Sequence, residues 1–181
     1  FAPRRNEMGC MVDILGVGVL IRGESGIGKS EAVLALIERG YSLVADDITK
    51  VTLIDNQHVV GTSYETTRNL MEIRGIGIID VAAMFGVRSV TREKQINLVV
   101  TLVHWDKAQT IDRLGLDEET TDILGVHIPH IVIPVRPGRD MGRLIEVAAF
   151  QTKLKMSGIH SAQALSERLM EKMTRDRDSH A

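Results

Sequence analysis

Gly23-Glu24-Ser25-Gly26-Ile27-Gly28-Lys29-Ser30 satisfies the pattern G-x-x-x-x-G-K-[ST] at every fixed position. The residues on either side give the octapeptide its context. Val17 to Ile21 is an apolar run of the kind that forms a buried strand. Ser30 to Arg39 predicts a helix, with Val33, Leu36 and Ile37 on one face and Gly40 to end it. In a strand–loop–helix setting the glycines let successive backbone N–H groups turn inward, and the helix N-terminus adds partial positive charge. Lys29 can reach the outer phosphates of a nucleotide, and the Ser30 hydroxyl can ligate Mg²⁺. Gly23, Glu24, Ser25, Gly26, Ile27, Gly28, Lys29 and Ser30 are therefore the candidate nucleotide-binding residues. The plain alternative is a glycine-rich turn with a solvated lysine, and the agreement of motif with context weighs against it.

The chain has 181 residues, which suggests one domain able to bury about 70% of its unfolded surface. Three Phe, two Tyr and one Trp leave the core to Ile, Val, Leu and Met. A formal net charge of −2 argues against nucleic acid as the main partner. No apolar run approaches the ~18 residues of a membrane span, and no signal-peptide pattern is present, so no membrane partner is expected. The single Cys10 excludes an internal disulfide and a multi-cysteine metal cluster; a buried free thiol there fits a cytoplasmic setting. Among the six histidines only His127 and His130 stand at His-x-x-His spacing, and no His-Glu-x-x-His motif occurs, which argues against zinc. Opening at Phe1 rather than Met, the chain is expected to be a piece of a longer protein, and Thr174 to Ala181 is expected to fray.

Met11 to Leu15 and Val17 to Ile21 predict two strands punctuated at Gly16 by a tight turn or bulge. Tyr41 to Ala45 is a short strand running into Asp46-Asp47. Lys50 to Ile54 and Val59 to Gly61 flank a hairpin turn. Asp80 to Phe85 fits a short helix with Asp80 near its start, and Ile96 to Leu102 a strand. Asp117-Glu118-Glu119 is expected to open a brief helix. Ile128 to Val135, with Pro129, Pro134 and Pro137 just beyond, suggests extended backbone at a sheet edge. Leu144 to Leu154 is helical in pattern. Ser161 to Met173 is amphipathic, with Ala162, Leu165, Leu169 and Met173 on one face. The expected fold class is α/β, with a mixed sheet of partly antiparallel character.

Three further groups of residues suit phosphoryl chemistry. A carboxylate of Asp46-Asp47, at the carboxyl end of a strand, can act as a metal ligand or as the base for an attacking hydroxyl; capping of the next turn is the competing role. Glu72 and Arg74 share one side of an extended segment that leads through Gly75 and Gly77 to Asp80. A carboxylate beside a guanidinium suits a transferred phosphoryl group, as it also suits a surface ion pair. Arg113, in a polar turn after Trp105, and the loop Pro134-Val135-Arg136-Pro137-Gly138-Arg139 offer further guanidinium groups that can bind phosphate or lie in solvent.

Taken together, these stretches resemble the catalytic domain of HPr kinase/phosphorylase. The likeness runs through Phe1 to Arg5, the octapeptide, Leu43 to Asp47, Glu72 to Asp80, Asp112 to Gly115, Pro134 to Arg139 and Ile145 to Ala149, about five-sixths of the chain. The resemblance implies a P-loop core related to phosphoenolpyruvate carboxykinase, without the family's N-terminal domain. It also implies a bifunctional enzyme that phosphorylates a serine of the phosphocarrier HPr with ATP or pyrophosphate and Mg²⁺. The same enzyme removes that group with inorganic phosphate, releasing pyrophosphate. It implies a homohexamer. On this chain it makes Asp47 the proton acceptor and donor, Lys29 and Arg113 catalytic, and Ser30 and Glu72 the Mg²⁺ ligands. Arg74 and Asp80 fall in the segment used in both directions, and Pro134, Arg136, Gly138 and Arg139 in the loop used for dephosphorylation. A catalytic histidine expected ahead of the first strand is replaced by Met8, which neither donates a hydrogen bond nor carries charge.

Overall fold

Val17 to Gly23 (β3) is apolar on both faces because it has a core on each side. Val19 and Ile21 belong to one buried cluster and Leu20 to another. The computed structural model describes residues 2–107, 119–158 and 161–180. Its nine-stranded sheet runs β1 (Arg4–Met8), β5 (Ile48–Ile54), β6 (His58–Thr62), β9 (Glu93–His104), β3, β2 (Cys10–Ile14) and β4 (Ser42–Ala45). The strand β11 (Val126–Val135) joins β9, and β10 (Thr120–Ile123) joins β11. β3, β9 and β11 are parallel neighbours, and the remaining pairs of this sheet are antiparallel. The mixed α/β architecture is thus as expected.

The long strand β9 organises the sheet. It bonds β6 through Glu93–Gln95, β3 through Ile96–Leu102 and β11 through Val99–His104. The helices α1 (Lys29–Glu38) and α3 (Met141–Met156) pack together over one core cluster, which contains Val33, Leu36, Leu98, Val100 and Ile145. The opposite cluster contains Met11, Leu20, Val51, Val99 and Ile128. Both cores are almost wholly aliphatic.

Gly16 sits in a two-residue turn with Leu15, both at positive φ, so the break between β2 and β3 is a hairpin turn whose hand matches strand twist. β7 (Leu70–Ile73) and β8 (Gly77–Asp80) form a separate two-stranded sheet, which leads into α2 (Val81–Phe85). Met71, Ile73 and Val81 anchor that unit in the larger core.

Four expectations change. Arg4–Met8 forms a strand that its polar composition concealed. As an edge strand beside β5 it buries only Glu7. Met8 therefore ends a first strand rather than preceding one. Thr120–Ile123 is a strand rather than the body of an acidic helix, because it pairs in register with Val126–Pro129. The final helix, α4 (Ser161–Ser179), continues through the segment expected to fray. Its predicted apolar positions Leu165, Leu169 and Met173 are exposed. Asp117 and Arg113 lie outside the described residues.

Glu146, 5% exposed, joins the start of α3 to the end of α1. The Tyr41 hydroxyl donates to it at 2.6 Å, and the Arg143 guanidinium donates to its other oxygen. The Tyr41 bond, reinforced by Arg143 against the cost of burial, holds the Glu146 carboxyl below the ordinary carboxylate range. Burial and the same bond push Tyr41 up to about 12. A carboxyl whose pKa is depressed on folding contributes stability above the ordinary carboxylate range and loses it as pH falls through and below that range. The melting temperature of Glu146→Gln is therefore expected to lie below that of the parent at about pH 7, with the gap closing towards about pH 3. A gap that persists unchanged in acid would contradict this account.

Candidate active site

The turn between β4 and β5 carries the two adjacent aspartates in different ways. The Ile48 N–H donates to the Asp46 carbonyl at 2.7 Å across Asp47, whose φ is 64°. This three-residue γ-turn is uncommon and strained, and persists only where neighbours over-determine it. Those neighbours belong to the joint between β1 and β2. The Gly9 N–H donates to the Asp47 carbonyl at 2.8 Å, and the Thr49 hydroxyl to the Gly9 carbonyl at 3.0 Å. A Cβ at Gly9 would stand 2.5 Å from the Ile21 carbonyl oxygen, so glycine is required for β3 to lie this close.

This turn, the glycine loop and the β7–β8 hairpin surround one cavity of about 560 Å³. Its lining includes Met8, Cys10, Gly23, Ser25, Gly26, Gly28, Lys29, Ser30, Asp46, Asp47, Glu72 and Arg74. Loop and turn meet there because β3 and β4 end at the cavity, which is where α/β sheets place their ligands. Gly28, at φ 110°, ends the loop and starts α1. The Lys29 ammonium folds back on the loop, donating to the Gly23 carbonyl at 2.5 Å and the Glu24 carbonyl at 3.1 Å. Glu24 faces His104 at 3.6 Å, and Ile27 turns its side chain into the core.

Two elements converge on the loop from outside. The Arg74 guanidinium lies against Gly26, with Nη2 3.0 Å from where a Cβ would stand, so a side chain at Gly26 would displace it. The Asp46 carboxylate accepts from the Cys10 thiol at 3.2 Å and from the Glu72 backbone N–H at 3.0 Å. Burial, then the Asp46 charge, pushes the Cys10 thiol up, so the sulfur stays protonated and donates.

Ser30, Lys29, Asp47, Glu72 and Arg74 are thus brought together. Asp80 is not among them: its carboxylate caps α2, accepting from the Ala83 N–H at 3.0 Å. Pro134, Arg136, Gly138 and Arg139 do not line the cavity either. Pro134 lies near the end of β11 and the other three follow it; β11 runs parallel to β9, as β9 does to β3, and so ends on the same rim of the sheet as the glycine loop. There Arg136 stacks over Trp105 at 5.8 Å, and Arg139 donates to the Pro134 carbonyl at 3.3 Å. Gly9 and Cys10 also line the cavity; the sequence marks Cys10 only as a buried thiol, and the nearness of both to Met8 is the signal that could have placed them there.

Serine and carboxylate oxygens are hard donors, of the type Mg²⁺ prefers. Among the described residues, no group of three or more His, Cys, Asp or Glu forms a self-sufficient cation site. Ser30 and Glu72 on one cavity suit an ion that takes its remaining ligands from substrate phosphates and water.

The fold and cavity define a mixed α/β protein with a glycine loop at the end of a central strand. The family model described as the HPr serine kinase C-terminal domain matches residues 1–169, and the chain belongs to that family. It is 47% identical over 169 residues to HPr kinase/phosphorylase 1 of Oceanobacillus iheyensis, covering 93% of this chain and 54% of that protein. Against HPr kinase/phosphorylase of Caldicellulosiruptor bescii it is 45% identical over 174 residues, covering 96% and 56%. The chain spans about half the length of the curated relatives it matches. The solved structure of the Hpr(Ser) kinase/phosphatase from Coxiella burnetii superposes with a TM-score of 0.78 at 36% identity, covering 89% of this chain and 98% of that one.

Proposed function

We propose that the chain is the catalytic part of a bifunctional HPr kinase/phosphorylase. It transfers a phosphoryl group from ATP or pyrophosphate to a serine of HPr, and returns it to inorganic phosphate with release of pyrophosphate. The observation that carries this reading is the meeting of the glycine loop, Asp47 and the Glu72–Arg74 hairpin on one cavity. The core is a P-loop fold related to phosphoenolpyruvate carboxykinase, and the working protein is a cytoplasmic homohexamer.

In this reading Lys29 leaves the loop carbonyls for the phosphates, and Arg74 balances charge at the far side of the loop. A serine hydroxyl is a poor nucleophile until its proton has an acceptor, and Asp47 takes that proton. In the reverse direction the protonated Asp47 returns it to the leaving serine oxygen. Ser30 and Glu72 would hold Mg²⁺, which when bound would supply neutralisation of phosphate charge. Arg113 adds a guanidinium to the transferred group, and the loop Pro134–Arg139 serves dephosphorylation.

Incubation with labelled ATP, Mg²⁺ and HPr, followed by excess phosphate, tests the proposal. Phosphoserine should appear and then disappear as pyrophosphate is released. Transfer to a small hydroxylated metabolite instead of HPr would identify a metabolite kinase. Binding without turnover would identify a nucleotide sensor, a second reading favoured by Met8, which puts a side chain that cannot titrate on the cavity wall.

Met8 is 65% exposed and points a residue with no polar hydrogen at the site. Met8→His is expected to raise the rate in at least one direction by about tenfold or more, a part of the roughly 10²–10⁴-fold that a fully positioned acid or base contributes. Equal rates for parent and variant in both directions would dismiss the idea that Met8 limits catalysis.

A further inference from the structure

The two aspartates of the β4–β5 turn share a cavity but not a situation. Asp47 is held by its backbone, with its side chain left to the cavity. Asp46 has both carboxylate oxygens engaged within the protein, one by the Cys10 thiol and one by the Glu72 N–H. Those two contacts join three chain segments: the β1–β2 joint, the β4–β5 turn and strand β7. The third matters most, because β7 and β8 form their own sheet with no ladder to the main one. Met71 and Ile73 seat β7 in the core, while Glu72, pointing the other way, is exposed. The distance from Glu72 to the glycine loop is therefore set by core packing beneath it and by the bond its own backbone makes to Asp46.

We propose that Asp46 is a positioning residue. It presents Glu72 to the glycine loop by holding the Glu72 backbone N–H, while Cys10 orients its carboxylate; it is neither the proton acceptor nor a metal ligand. This rests on the reading of Glu72 as a Mg²⁺ ligand. It requires of residue 46 an acceptor oxygen rather than a negative charge, and that requirement separates it from the alternatives. Asp46→Asn keeps an acceptor oxygen for the Glu72 N–H, whereas Asp46→Ala removes it.

The test uses two readouts that do not depend on turnover. Hydrogen exchange at the Glu72 amide is followed in the metal-free protein. The Mg²⁺ concentration for half-maximal tightening of ATP binding is followed by calorimetry, with ATP binding also measured without Mg²⁺. Asp46→Ala is expected to speed Glu72 exchange by about tenfold and to raise the Mg²⁺ requirement several-fold, leaving metal-free ATP binding unchanged. Asp46→Asn is expected to stay close to the parent on both. Unchanged Glu72 exchange in Asp46→Ala would overturn the proposal. So would an Asp46→Asn protein as impaired as the alanine variant, since charge would then be what matters. If the alanine variant does not fold, the asparagine variant decides alone, a parental Mg²⁺ requirement supporting the proposal and a raised one refuting it. Failure of the kinase reading is distinguishable, because it shows as absence of phosphotransfer to HPr in the unsubstituted chain.

Discussion

Asp47→Asn is expected to lower phosphoryl transfer in both directions by about 10²–10⁴-fold, the usual contribution of a positioned general base, while ATP binding stays near that of the parent. Asparagine is the informative substitution because residue 47 sits at φ 64°. At this positive φ Asn is tolerated much as Asp is, whereas Ala would add backbone strain of roughly 1–3 kcal/mol to the loss of the carboxylate. The γ-turn and the Gly9 N–H bond to the residue 47 carbonyl use only backbone atoms, so they survive the change. Loss of rate with preserved binding and melting temperature would place Asp47 at the transferred proton. A variant that keeps more than about a tenth of the parental rate would remove it from that role.

Gly18→Ala is expected to destabilise the fold by about 3 kcal/mol or more, lowering the melting temperature by roughly 6–12 °C. A Cβ at residue 18 would stand 1.8 Å from the Gln95 carbonyl oxygen and 2.9 Å from the Gln95 carbonyl carbon. Both are backbone atoms of β9, so relief requires two paired strands to part. The site is already specialised: the Gly18 N–H donates to the Asn97 side chain at 2.9 Å where the β3–β9 register shifts. Gly61→Ala is the control. Its nearest neighbour is the Met11 sulfur at 2.3 Å, the end of a flexible side chain, and a smaller loss is expected there. Thermal unfolding of both variants followed by circular dichroism checks the order, and a Gly18 variant melting within about 2 °C of the parent would contradict it.

What could be seen from sequence follows from how local the determining physics is. The octapeptide, the helix behind it and the Leu15-Gly16 turn depend on residues within a few positions of one another, and all three are as expected. Arg4–Met8 was hidden because an edge strand with one buried side chain has no apolar alternation to detect. The Asp46-Asp47 pair could be placed at the end of a strand but not told apart. Their difference comes from Gly9, Cys10 and Glu72, which sequence separation conceals. Arg74 looked like a partner for Glu72 on one strand face; instead it crosses to Gly26 of the loop. The amphipathic pattern of the last helix was legible, whereas the exposure of its apolar face was not, because periodicity says nothing about what covers a face.

The place of β3 in the sheet has a consequence for the order in which the site is completed. Its antiparallel neighbour β2 is one tight turn away, but its parallel neighbour β9 arrives nearly eighty residues later. During synthesis from the N-terminus, the strand that carries the glycine loop therefore waits with one edge open, the kind of edge that invites wrong pairing, until β9 emerges. A chain halted before β9 contains every residue of the phosphate-binding motif but holds its strand by the β2 edge alone.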